Sequence, residues 1–127
     1  MRKKGVFAIA AALTCGAALN PAIPLFAADL RAAHDNFAAQ CAKCHGDSGR
    51  GDGPAGAALP VRPRNFADCT RMSKESDDRI FNTIKGGGAS VGLSKEMPPW
   101  SEAFDDDEIR QLVTYVRQFC SAQRANK

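Results

Sequence analysis

Apolar residues recur every three to four positions in three separate stretches of this chain, and each stretch predicts a helix. In the first, Leu30, Ala33, Phe37, Ala38 and Cys41 share one face, so a helix is expected from Asp29 to Cys44 with Asp29 as its cap. In the second, Ile80, Phe81 and Ile84 share a face over Asp77 to Lys85. Ser76 or Ser73 can cap that helix, Asp77 and Asp78 suit its positive end, and Gly86-Gly87-Gly88 stops it. The third is the most regular: Ile109, Leu112, Val113, Val116 and Phe119 keep a helical period to about Ala122. Asp105 with Glu108 three positions on forms a capping box, flanked by Phe104 and Ile109 as a hydrophobic staple.

Between the helices the pattern is lost. Gly46 to Pro54 is a run of turn formers, and Leu59 to Phe66 continues as an extended stretch stiffened by Pro60 and Pro63. A second long loop, Ala89 to Trp100, carries Met97-Pro98-Pro99-Trp100. There is no strand alternation, repeat or low-complexity tract, so the fold class is all-α, three to five helices with long loops.

The first 28 residues obey another logic. Arg2, Lys3 and Lys4 precede an almost wholly small or apolar run from Val6 to Leu19, and Leu25-Phe26-Ala27-Ala28 suits cleavage. Residues 1–28 therefore read as a secretory signal peptide, leaving one domain over 29–127 and a periplasmic location. An uncleaved anchor is the alternative, but the apolar run is shorter than the roughly 20 residues a spanning helix needs. Cys15 comes after Thr14, where a lipoprotein signal would place a smaller residue, and reads as part of the leader. All 14 acidic residues lie after Ala28 while three of the 17 basic ones precede it, so the remainder balances to zero. Such a domain lacks the basic surface that nucleic-acid binding demands.

The strongest chemical signal is Cys41-Ala42-Lys43-Cys44-His45. C-x-x-C-H is the attachment pattern of a c-type haem. Two thiols on one helical turn can reach the two vinyl groups along a porphyrin edge and become thioethers, and the adjoining imidazole can bind the iron. A zinc ribbon would need a second Cys pair, which Cys69 and Cys120 do not form in sequence. A thioredoxin-like motif would need a βαβ setting. The expected cofactor is one haem c with its iron, bound through Cys41 and Cys44.

A second axial ligand must come from elsewhere. Met97 is the candidate, because Pro98 and Pro99 limit its loop's freedom and an iron–thioether bond needs a stiff loop. The alternative role for Met97 is filling a gap in the core. Met72, among Arg71, Ser73 and Lys74, reads as a surface or packing residue, and His34 as a solvated helix position.

Taken together, Cys41-x-x-Cys44-His45-Gly46, the Gly- and Pro-rich loop after it, Met97 in Met-Pro-Pro and the terminal helix resemble the class I c-type cytochromes across essentially the whole of residues 29–127. The resemblance implies the cytochrome c fold, with the first and last helices packed at Ala33 and Phe37 against Leu112 and Tyr115. It implies His45 and Met97 as iron ligands. It also implies a proline carbonyl accepting the hydrogen of His45 Nδ1, with Pro60 the nearest equivalent and Pro54 the weaker one. Cys69 and Cys120 fall outside the family pattern. In an oxidising compartment they are expected to pair, worth roughly 4 kcal/mol by loop closure, with two buried thiols as the alternative.

The implied function is one-electron transfer between redox partner proteins rather than enzymatic catalysis, because iron held on both faces has no open site. The resemblance places the exposed haem edge near Ala42 and Lys43, with Lys95, Glu96 and Trp100 as a docking rim, although Trp100 reads more readily as packing over the haem edge. The expected carrier is a monomer with no stable membrane insertion. Two other readings stand beside it: the electron-accepting cytochrome subunit of a periplasmic dehydrogenase or oxidoreductase complex, and a five-coordinate haem protein binding gas or reducing peroxide.

Overall fold

The computed structural model describes residues 25–125, with side chains from Leu30 to Ala122. Most of the stretch read as a leader lies outside the described residues. The chain enters in helix α1, Leu25–Asn36, and continues through a π-helical stretch, Phe37–Cys41, into α2, Ala42–His45. Helix α3 is Cys69–Met72, α4 is Asp77–Gly86 and α5 is Asp106–Ala125, with 3₁₀ turns at Gly56–Ala58 and Gly88–Val91. Among the described residues there is no strand, in keeping with the all-α expectation.

The capping residues act as their types require. Asp105 accepts hydrogen bonds from the Asp107 and Glu108 amides at 2.9 Å each, and Glu108 accepts from the Asp105 amide at 2.9 Å. That is the reciprocal capping box. Ser76, rather than Ser73, caps α4 by accepting from the Arg79 amide at 3.1 Å. Helix α3 has no counterpart in the apolar pattern, being a single turn started by Asp68, which accepts from the Arg71 amide. The first helix differs as well: it starts at Leu25, ahead of Asp29, and the Ala42 amide reaches back to the Phe37 carbonyl, the wider π spacing. A π turn inserts one residue and re-aims the side chains beyond it, here Cys41.

Helix α1 packs on α5. Ala33 is fully buried at this contact and Leu112 nearly so. Phe37 lies 5.3 Å from the Tyr115 ring and 5.2 Å from Phe119, and Phe119 in turn stacks on Phe66 at 6.2 Å. Phe104 and Ile109, the expected staple, are both buried. Met72 is buried too, so of its two expected roles packing holds. His34 is exposed, pairing with Asp35 and meeting the edge of Tyr115.

The α3–α4 connection is fastened to α5 twice. Cys69 and Cys120 form a disulfide. Arg117 donates through Nη1 to the Met72 carbonyl at 2.6 Å, through Nη2 to the Glu75 carbonyl, and through Nε to Asp77 at 2.8 Å. Replacing Cys69 and Cys120 together by Ser is expected to cost about 4 kcal/mol, from the 51-residue separation that the bond closes. A lowered urea midpoint in equilibrium unfolding checks it.

Candidate haem-binding site

The last turn of a helix leaves its carbonyls without partners, and α2 hands each of its four to the adjoining loop. The Gly46 amide donates to the Ala42 carbonyl at 2.7 Å and the Ala55 amide to Lys43 at 2.9 Å. Cys44 accepts from Gly53 at 3.2 Å, and His45 from Gly51 at 2.7 Å. The loop must lie against the helix end to do this. A Cβ on Gly53 would meet the Ala42 and Lys43 carbonyl oxygens at 2.5 Å, backbone atoms that cannot step aside. The turn formers of this segment thus hold the C-x-x-C-H turn in place.

His45 is buried, and its Nδ1 donates to the Arg64 carbonyl at 3.2 Å. Pro60, expected to supply that acceptor, is exposed and does not make the bond. The path of the loop decides the matter: Phe66 donates to the Gly49 carbonyl at 2.7 Å, which draws Arg64 rather than Pro60 in over the imidazole. Burial lowers the pKa of His45, with the Arg64 bond opposing, and the neutral ring keeps its Nε2 lone pair. Phe66 stacks on the imidazole with centroids 4.5 Å apart and planes 16° from parallel. Its role is invisible in sequence, since nothing distinguishes it from other loop aromatics except its place after a Pro-stiffened run.

The two thiols are free and half-buried. Burial, and then the neighbouring Cys44, push Cys41 up to about 11. A protonated thiol is not the lowered-pKa thiolate of a redox C-x-x-C pair. Among the described residues no group of three or more His, Cys, Asp or Glu side chains could hold a metal ion.

Met97 is seated by the end of α4. Its carbonyl accepts from the Gly88 amide at 2.9 Å, and the Trp100 and Ser101 amides donate to the Ile84 and Lys85 carbonyls between 3.1 and 3.3 Å. Gly87, at φ +77°, allows the fit; a Cβ there would lie 2.8 Å from the Pro99 nitrogen and 2.9 Å from the Met97 carbonyl oxygen. Gly86-Gly87-Gly88 therefore ends a helix and also receives the methionine loop. Trp100 stacks on Phe104 at 5.9 Å.

Cys41, Cys44, His45 and Met97 all line one cavity of about 510 Å³, whose apolar wall includes Met72 and Leu112. That volume is in the range of cofactor sites. Two thiols, an imidazole with one nitrogen committed to a carbonyl, and a thioether are the donor set that haem c takes, so the residues present fit the group. Arg50, Arg62, Arg64, Arg71 and Arg79 also line the cavity and suit the carboxylates of a porphyrin. Neither Ala42, which is buried, nor Lys43 or Lys95 lines it. The exposed apolar residues at its wall are instead Val61, 61% exposed, and Leu93, 41% exposed.

Helices closing on an apolar chamber that gathers these four side chains are the plan of a c-type cytochrome. Comparison with known proteins agrees. The family model described as cytochrome c oxidase, cbb3-type, subunit III matches residues 28–116, and the chain belongs to that family. It is a monohaem class I c-type cytochrome, carrying covalent haem c and working in electron transfer. Cytochrome c6 of Bryopsis maxima is 31% identical over 90 residues, 69% of this chain and 89% of that protein. The cbb3-type cytochrome c oxidase subunit FixP of Rhizobium meliloti is 30% identical over 80 residues, 63% of this chain but only 24% of the subunit, so the chain spans about a quarter of that relative. Among solved structures the KustC0563 c-type cytochrome superposes with a TM-score of 0.57 at 31% identity, covering 68% of this chain and 95% of that one.

The loop contacts set an order of glycine sensitivity. Gly92→Ala, where a Cβ meets nothing within 4 Å and only a positive φ opposes it, should cost about 1 kcal/mol. Gly53→Ala is expected to cost more and to lower the yield of haem-loaded protein. Denaturant midpoints and haem absorbance per chain measure both.

Proposed function

We propose that this protein is a periplasmic one-electron carrier. In this reading residues 1–28 export it, Cys41 and Cys44 hold the haem by thioether bonds, and His45 and Met97 bind the iron. The observation that carries the reading is that these four side chains line one cavity while Arg64 occupies His45 Nδ1. The haem, once bound, supplies the Fe(III)/Fe(II) couple. The chain's residues do the rest. His45 and Met97 would both hold the iron, and with two protein ligands on it the site would not be open to oxygen or substrate. The thioether of Met97 favours the reduced state. The clamped loops keep both ligands where they are as the charge changes, so little reorganises when an electron moves. Phe37, Met72, Leu112 and Val116 exclude water from the cavity.

Partner proteins dock transiently at the cavity mouth, where Val61 and Leu93 offer apolar contact and Arg50, Arg62 and Arg71 are exposed without an ion pair among the described residues. Small redox encounters of this kind need little area. Among the described residues no helix is long and apolar enough to cross a membrane.

A second reading has its own support. The family's description and the FixP relatives belong to an oxidase complex, and the chain acts on this reading as an electron-accepting cytochrome subunit of a periplasmic oxidoreductase. Co-purification with a larger partner from membranes or periplasm, against migration as a lone small protein, separates the two.

Optical spectra of the purified protein test the ligand set. Met97→Ala should keep the haem attached but lose the six-coordinate low-spin spectrum and the sulfur-to-iron charge-transfer band of the oxidised form, and should bind carbon monoxide when reduced. Met72→Ala should leave the spectrum unchanged while lowering stability by about 2–5 kcal/mol. Loss of the band in the Met72 variant alone would overturn the assignment.

A further inference from the structure

We propose that Glu75 is a positioning residue for the haem-ligating histidine and helps to set the reduction potential of the iron, an inference that rests on the haem ligation proposed above. Glu75 lies in the α3–α4 connection with its side chain only 19% exposed. One carboxylate oxygen forms an ion pair with Arg64 Nη2 at 3.0 Å and the other with Arg79 Nε at 3.0 Å. Its own carbonyl accepts from Arg117 on α5. The carboxylate is therefore fixed at its backbone as well as at both oxygens. Arg64, Glu75 and Arg79 all line the cavity.

Arg64 is the link. Its guanidinium is held by Glu75, and its backbone carbonyl accepts the hydrogen of His45 Nδ1. A residue gripped by its side chain presents its carbonyl at a fixed place, and that carbonyl sets the orientation and basicity of the imidazole. Glu75 thus reaches the iron ligand through one intervening residue, without touching it.

Two effects of removing the carboxylate act in the same direction. A slackened Arg64 carbonyl weakens its bond to Nδ1, so the imidazole donates less to the iron and the oxidised state loses support. Losing a negative charge at the cavity wall, while two guanidiniums remain, also disfavours the more positive oxidised iron, and screening is weaker there than in bulk water. Both raise the potential. Removing Arg79 instead leaves the Glu75–Arg64 pair and takes away one positive charge, so the potential should fall.

The test is an optically monitored redox titration of the haem-loaded wild type and the Glu75→Gln, Glu75→Asp and Arg79→Gln variants. Expected are a rise for Glu75→Gln with the low-spin spectrum retained, a value near wild type for Glu75→Asp, and a fall for Arg79→Gln. A residue that merely braced the fold would change denaturation midpoints and leave the potentials alike. An unchanged or lowered potential in Glu75→Gln, or shifts of one sign in Glu75→Gln and Arg79→Gln, overturns the assignment. The wild-type spectrum, recorded first, judges the haem ligation by itself: a high-spin or haem-free protein overturns both readings. A normal wild type with an indifferent Glu75→Gln variant overturns this one alone.

Discussion

The unpaired carbonyls at the ends of two short helices hold this protein's site together. A helix cannot satisfy its last turn from within, and here the partners come from the two loops that enclose the cavity. Helix α2 gives its four carbonyls to Gly46, Gly51, Gly53 and Ala55, and α4 gives two of its own to Trp100 and Ser101. The same hydrogen bonds finish the helices and fix the loops. Over so short a fold this economy matters, because the roughly 100 described residues bury only a small core and much of it surrounds the cavity.

Rigid loops are what an electron carrier needs. A thioether is a weak iron ligand, retained only if its loop does not drift, and the Met97 loop is fastened by backbone bonds on both sides of the methionine. On the other side, His45 is fixed by Arg64 at Nδ1 and by Phe66 across its face. Phe66 belongs to the aromatic group that joins α1 to α5. The packing that makes the fold is continuous with the packing that orients His45, so a substitution in one disturbs the other.

Much of this was legible in the chain, and the remainder was hidden for a common reason. The capping box at Asp105, the helix over Ile80 and Ile84, the C-x-x-C-H turn and the stiff Met97 loop are local patterns, each visible within a few residues. The π turn before Cys41 left no trace because Phe37-Ala38-Ala39-Gln40 fits either spacing. Helix α3 is one turn long, too short for a period to show. The family resemblance points to a proline carbonyl as the acceptor for His45, with Pro60 the nearest equivalent, but every residue has a carbonyl, and only the path of the loop selects Arg64. Phe66 and Glu75 matter through neighbours distant in sequence, which no window on the chain reports.

Net charge is the plainest case of such a quantity. After the first 28 residues positive and negative side chains cancel, and a neutral domain should steer partners weakly. The fold undoes that average. Five arginines and two glutamates line the cavity, while the acidic run Asp105 to Glu108 is spent on the start of α5. Glu75 offsets one of the two positive charges of Arg64 and Arg79 at the cavity wall, and Arg50, Arg62 and Arg71 stay exposed at the mouth. The field an approaching partner meets is set by these few side chains within a screening length of about 8–10 Å, and the sum over the whole chain says little about it.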